Sequence, residues 1–174
     1  MTCRITGLLL IMLTGLVAAQ AEPVSRREVL AAIAVLDKDV TSADALKAAV
    51  TVTRFGKENE AVLITVGPET LPWVQLDAPG SEATIRAMLM AAYFAGDIKS
   101  QLEKRRAEDD PYRGWLAVIK AYRQIRQKQP EVVIPEVEEL VKKEQAGTLE
   151  QEAADLRQQQ EQEEQRERRP KNVV

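Results

Sequence analysis

Apolar residues along this chain recur mostly at spacings of three and four, the pattern of helices that bury one face. Ser25-Arg26-Arg27-Glu28 opens the first. It reads as a capping box, in which the Ser hydroxyl bonds the amide three residues on and the Glu side chain reaches back. Val24 and Val29 are placed to staple it. Val29, Ile33, Leu36 and Val40 then share one helical face. A second helix is predicted from about Ser42 to Phe55, capped by Thr41 or Ser42. Its face is Leu46, Ala49, Val50 and Thr53, its last turn holds Arg54, and Gly56 stops it. Residues 61–66, Ala-Val-Leu-Ile-Thr-Val, are rich in β-branched side chains, which favours a strand. Asn59 as a cap, Gly67 as a stop and the helical surroundings favour a short helix, the expectation adopted.

Residues 67–80 carry Gly67, Pro68, Pro72, Pro79 and Gly80, so no regular helix runs through them. Leu71, Trp73, Val74 and Leu76 make this an apolar loop, and two readings stay open. Trp73 and Leu76 pack back on the helices as a lid, or Trp73, with Leu71 beside it, lies in a partner groove. From Ser81, the positions Ile85, Met88, Leu89, Ala92 and Tyr93 mark a long helix. It is expected to continue through Ile98 and Leu102 to about Ala107, with Gly96 at a bend or a close helix contact. Asp109-Asp110-Pro111 announces the next, with Trp115, Val118, Ile119, Tyr122 and Ile125 as its buried stripe and Gln129-Pro130 as its stop. Pro135 opens another, with Val137, Leu140 and Val141 inward and Gly147 beyond its end. Thr148-Leu149-Glu150-Gln151 is a further capping box. Residues 151–174 hold only 5 apolar residues in 24, with 6 glutamines and 11 charges, too little to fold alone. They read as a frayed helix passing into a disordered tail, its first turns docked through Leu149, Ala153 and Leu156. The expected fold is all-α: five or six helices in antiparallel hairpins, packed as a bundle or short α-solenoid over residues 22–150.

One pairing carries a resemblance. Ala48-Ala49-Val50, then Arg54-Phe55-Gly56, Lys57-Glu58-Asn59-Glu60 and Ala61-Val62-Leu63 give an alanine-rich helix, a glycine turn with acidic residues, and an apolar segment. This resembles the helix–turn–helix of a HEAT repeat over about 25 residues, without a second copy at the expected period. Ala92-Tyr93-Phe94-Ala95-Gly96-Asp97-Ile98 is similar to the middle of a tetratricopeptide first helix. These resemblances imply a stacked-helix architecture with a concave face for partners, and they carry over no site residues.

The N-terminus changes the picture of where the protein works. Arg4 precedes an almost wholly apolar run, Ile5–Ala19, and Ala19-Gln20-Ala21 has the small-x-small form of a cleavage site. This is the layout of a secretory signal peptide over residues 1–21. As a helix the run of 15 residues spans about 22 Å, short of the roughly 30 Å bilayer core. Cleavage after Ala21 and a periplasmic or secreted bacterial protein are expected, a retained membrane anchor being the alternative. Cys3 leaves with the leader, and the whole chain has no histidine. The mature chain therefore offers neither thiol nor imidazole, which excludes His-ligated metal sites and Ser-His-Asp or Cys-His catalysis. No cofactor motif is present. The acid pairs Asp109-Asp110 and Glu138-Glu139 sit at helix starts, where capping accounts for them. A carboxylate hydrolase is the remaining enzymatic alternative.

Net charge is −3, but unevenly spread. Residues 99–128 hold nine basic and four acidic residues, residues 131–164 three basic and eleven acidic. The acidic segment pairs with the basic helices in the same molecule, or Lys104, Arg105, Arg106, Arg113, Lys120 and Arg123 form a patch for an anionic partner. In an exported protein that partner is another envelope protein, anionic lipid or an envelope polymer. Nucleic acid is excluded by the negative net charge and the absence of a reading motif. The expected function is thus a non-catalytic binding, scaffold or accessory protein acting through a helical groove, with an envelope-surface binder as the alternative.

Overall fold

The computed structural model describes residues 22–74 and 79–168. The signal segment and Cys3 lie outside the described residues, as do Leu76 and the last six positions. The described residues form six helices: α1 (Arg26–Lys38), α2 (Ala45–Glu58), α3 (Gly80–Lys104), α4 (Pro111–Lys128), α5 (Pro135–Ala146) and α6 (Leu149–Arg168). No strand occurs among them, and the fold is all-α as expected. No helix among them is long and apolar enough to cross a membrane.

Local signals explain most boundaries. Ser25 and Glu28 complete the capping box of α1. Asp110 caps α4 by accepting from the Arg113 amide, with Pro111 in the first turn. Gly147, in the left-handed region at φ 72°, ends α5. The Thr148 amide then donates to the Lys143 carbonyl at 3.0 Å, closing a Schellman-type end. The expected capping box at Thr148 is not what its hydroxyl makes, for it donates back to the Lys143 carbonyl at 3.4 Å. α6 crosses residue 150 without a break, and Leu149, Ala153 and Leu156 are buried against the bundle.

The centre is the α3–α4 pair, with α1 and α2 on one side and α5 and α6 on the other. Two glycines set its closeness. A Cβ on Gly96 would stand 2.3 Å from the Arg113 carbonyl oxygen, and one on Gly114 would stand 2.5 Å from the Tyr93 ring. Gly96 is therefore a close contact, one of the two roles foreseen for it. Gly96→Ala is expected to lower the unfolding free energy by about 1–3 kcal/mol, because overpacking against backbone outweighs alanine's better helix propensity. Chemical denaturation of the purified variant checks this.

Two expectations are corrected. Residues 61–66 are neither helix nor strand: Ala61 lies in a turn and residues 62–66 are irregular. Asn59 ends α2 and turns its side chain to the Ala61 amide at 3.0 Å instead of capping a new helix. The buried Gln101 side chain then serves both backbone groups of Leu63, accepting from its amide at 2.9 Å and donating to its carbonyl at 2.6 Å. That satisfies the segment as a neighbouring strand would, so its β-branched residues need no helix. Helix α2 itself is displaced: it starts at Ala45, without a side-chain cap, and runs through Gly56 to Glu58. Gly56 is not a stop. Its missing Cβ leaves room for Ile64, whose Cδ1 lies 2.7 Å from where that atom would be.

Candidate functional site

Helix α2 has a polar face of Lys47, Thr51, Arg54 and Glu58 and a broad apolar one, and the fold buries the part of the apolar face with the smaller side chains. Ala45, Ala48, Ala49, Val52 and Phe55 face the core. The face expected to be inward, Leu46, Val50 and Thr53 with Ala49, is mostly outward. Leu46 is 64% exposed and Val50 61%. Alanines inward let α1 approach closely, since interaxial distance follows side-chain size. The cost is that the two largest aliphatic side chains of α2's first half meet water, one turn apart on the same wall.

That wall borders a groove. Leu46, Val50, Thr53 and Lys57 form the α2 side, and Thr84, Ala87, Met88 and Ala91 the α3 side. The cavity measures about 450 Å³ and its surface is mainly apolar, within the size range of ligand sites. At one end Arg54 pairs with Glu58 at 3.0 Å. The Arg54 guanidinium also donates to the Glu22 carbonyl, so the chain's first described residue sits at this end. Lys57 is exposed, with no carboxylate in ion-pair reach among the described residues. Single exposed apolar residues need no explanation. Two in register along an open apolar groove mark a contact surface.

The residues foreseen as partner contacts lie elsewhere. Trp73 is wholly buried and Leu71 is buried beside it. The Trp73 ring packs on Tyr93 with centroids 6.3 Å apart, and its carbonyl accepts from Arg86 at 2.5 Å. Thr70 pins the loop, its carbonyl accepting from the Trp115 indole at 2.8 Å. Of the two readings, the lid holds for Trp73, which has no surface to offer a partner.

The basic residues are largely matched from within. Lys104 meets Asp110 at 2.6 Å, Arg106 meets Glu108 at 2.8 Å, Lys120 meets Asp37 at 3.2 Å and Arg123 meets Glu144 at 2.6 Å. Lys128–Asp39 and Arg126–Glu138 continue the series at 2.8 and 2.6 Å. Acids on α1 and α5 thus flank the basic α4. Arg105 takes the left-handed position that ends α3, at φ 55°, and Arg113 lies 5.9 Å from the Tyr112 ring centroid. These two have no carboxylate in ion-pair reach among the described residues.

A buried acid cluster was not legible as such. Asp97 is fully buried in mid-α3, and Asp109 and Asp110 are buried at the start of α4. Asp97 Oδ1 accepts from the Asp110 amide at 2.9 Å and from Gln101 at 2.8 Å. Asp110 takes Lys104 and Ser100 on Oδ2, at 2.6 and 2.5 Å. Despite its partial burial these bonds hold its pKa below the usual carboxylate value. Asp97 Oδ2 and both Asp109 oxygens find no donor in good geometry, yet the two carboxyls face each other in hydrogen-bonding contact. Burial drives both pKa values up, and for Asp97 the neighbouring Asp109 adds to the rise. The Thr65 hydroxyl and amide pull Asp109 back partway. One proton shared between the two carboxyls removes the conflict. The buried Tyr93 hydroxyl, without a hydrogen-bond partner among the described residues, is held neutral by burial and by the field of these three acids. The Asp97 and Asp109 oxygens that lack donors are shut from solvent. The pair is thus built to hold a proton inside the fold. Among the described residues no group of three or more Asp, Glu, Cys or His side chains is arranged to hold a metal ion.

The chain matches no protein-family model, and comparisons with curated proteins and with solved structures give no match.

Proposed function

We propose that this chain is an exported, non-catalytic binding or accessory protein that holds a partner in the α2–α3 groove. The observation that carries the reading is the outward Leu46–Val50 wall, set over an apolar cleft of about 450 Å³. Burying what these two side chains still expose in a partner contributes roughly 1–2 kcal/mol each. Export follows from the leader-like segment Ile5–Ala19. An envelope protein is the partner class that this location supplies.

The double substitution Leu46→Asp/Val50→Asp tests the groove. Both sites are exposed, so stability should change by less than about 0.5 kcal/mol per site. Crosslinking in the envelope should capture a defined partner with the native chain and lose it with the variant. Retention of that partner by the variant, or its loss on charge reversal at Arg105 and Arg113, would move the interface to the basic helices.

A further inference from the structure

We propose that the groove takes a single amphipathic α-helix of a partner protein, bearing a carboxylate at the end that lies over Lys57. This rests on the binding reading above and names the kind of partner. The α2 wall places Leu46, Val50, Thr53 and Lys57 at steps of four, three and four. The α3 wall places Thr84, Ala87 and Ala91 at steps of three and four. Two helices that both present such rows offer ridges and grooves for a third helix. On α3 the exposed wall residues, Thr84 and Ala87, are small, and Ala91 and Met88 are buried beneath them as the groove's floor, so a helix axis can come close. On α2, Leu46 and Val50 stand out as knobs to fill the gaps between a partner's turns. Met90, half-buried at the groove's edge, is unbranched and adapts to what is seated there. From Leu46 to Lys57 the wall runs about 16 Å, the length of three helical turns.

Charge fixes the end of the partner. Arg54 and Glu58 answer each other at 3.0 Å. The α3 wall residues are neutral. Lys57 remains as the one rim cation with no carboxylate in ion-pair reach among the described residues. A carboxylate on the partner, one turn beyond its apolar anchors, completes it.

The test uses the full chain and three labelled peptides of about 15 residues, near the length at which an isolated helix becomes marginal. One carries leucines at steps of three and four with glutamates at one end. The second replaces those glutamates with lysines. The third has the composition of the first with leucines at every second position. The first should bind, roughly two- to fivefold tighter than the second, the range of an exposed ion pair. The third should not bind. Lys57→Ala should erase the difference between the first two, and Leu46→Asp should abolish binding of the first. Equal binding of the first and third peptides overturns the proposal. So does dodecanoate competing at Leu46 while no peptide binds, which would make the groove an alkyl-chain site. A dimer in sedimentation that Val50→Asp dissolves would assign the groove to a second copy. If no peptide binds but the crosslinked envelope partner still depends on Leu46 and Val50, the helix proposal fails and the binding reading survives. If neither dependence is found, both fail.

Discussion

Replacing Trp73 with alanine is expected to lower the unfolding free energy by about 3–5 kcal/mol, the cost of a large cavity in a packed core. The indole has no exposed surface and lies against Tyr93 beneath the 67–74 loop. Its removal empties the space that the lid closes. Against a typical total of about 5–15 kcal/mol, that loss populates the unfolded chain measurably. Trp73→Phe should cost much less. It keeps a ring in place and removes an indole N–H that has no hydrogen-bond partner among the described residues, so none of the described polar bonds is lost. Denaturant midpoints of the two variants make the comparison. Binding measured where Trp73→Phe is folded should be native. If Trp73→Ala were as stable as the native chain but failed to bind, the loop would be an interface and the lid assignment wrong.

Stability is expected to fall on the alkaline side because of the Asp97–Asp109 pair. Burial and the facing Asp109 carboxyl push Asp97 up to about 8, and Asp109 is raised as well. The unfolded chain has ordinary carboxylates near 4. A raised folded pKa means that the folded state holds the proton more tightly. The stabilisation is therefore complete below about pH 4 and is lost as pH rises towards about 8. Asp110 and Glu138 work in the opposite sense. Their lowered pKa values contribute stability above the ordinary carboxylate range, and it is lost as pH falls. The groups around the pair define the experiment. They are Tyr93, Ser100, Gln101 and Lys104 from α3, Asp110 from the start of α4, and Thr65 from the 61–66 segment. Lys104 already serves Asp110 at 2.6 Å, and among the described residues no ion pair reaches Asp97 or Asp109. Asp97→Asn keeps an oxygen for the Asp110 amide and for Gln101, and turns an N–H towards Asp109. It should flatten the decline between pH 5 and pH 9 and make the variant the more stable form at pH 9. Native stability that is equal at the two pH values would refute the shared proton.

What was legible in the sequence follows from where the physics is local. Caps and turn residues act within a few positions, so α1, α4 and α5 begin where Ser25, Asp110 and Pro135 announce them. The same holds for the stripe from Trp115 to Ile125, all buried as the spacing requires. The apolar loop could be read as a lid because an exposed Trp is costly, although its partners Tyr93 and Arg86 were out of view. Three features depend on distant residues and escaped. Residues 61–66 stay out of a helix because Gln101, far along the chain, satisfies Leu63. Asp97 and Gln101 lie inside α3 because they satisfy one another and the Asp110 amide, whereas a periodic pattern sends polar residues outward. For helix α2 the spacing pointed to Leu46, Ala49, Val50 and Thr53 as the inward face. The structure instead buries Ala45, Ala48, Ala49, Val52 and Phe55. The available signal was the breadth of its apolar face, in which Leu46 and Val50 stand beside Ala45, Ala48, Ala49 and Val52.

Site-specific photocrosslinking inside the cell tests the central claim most directly. A photoreactive residue placed at position 50 on the groove wall is compared with one at position 113 on the basic helix. The account predicts a single adduct from position 50, lost when Leu46→Asp is added, and none from position 113. An adduct from position 113 alone, or one from position 50 that is indifferent to Leu46→Asp, would contradict it.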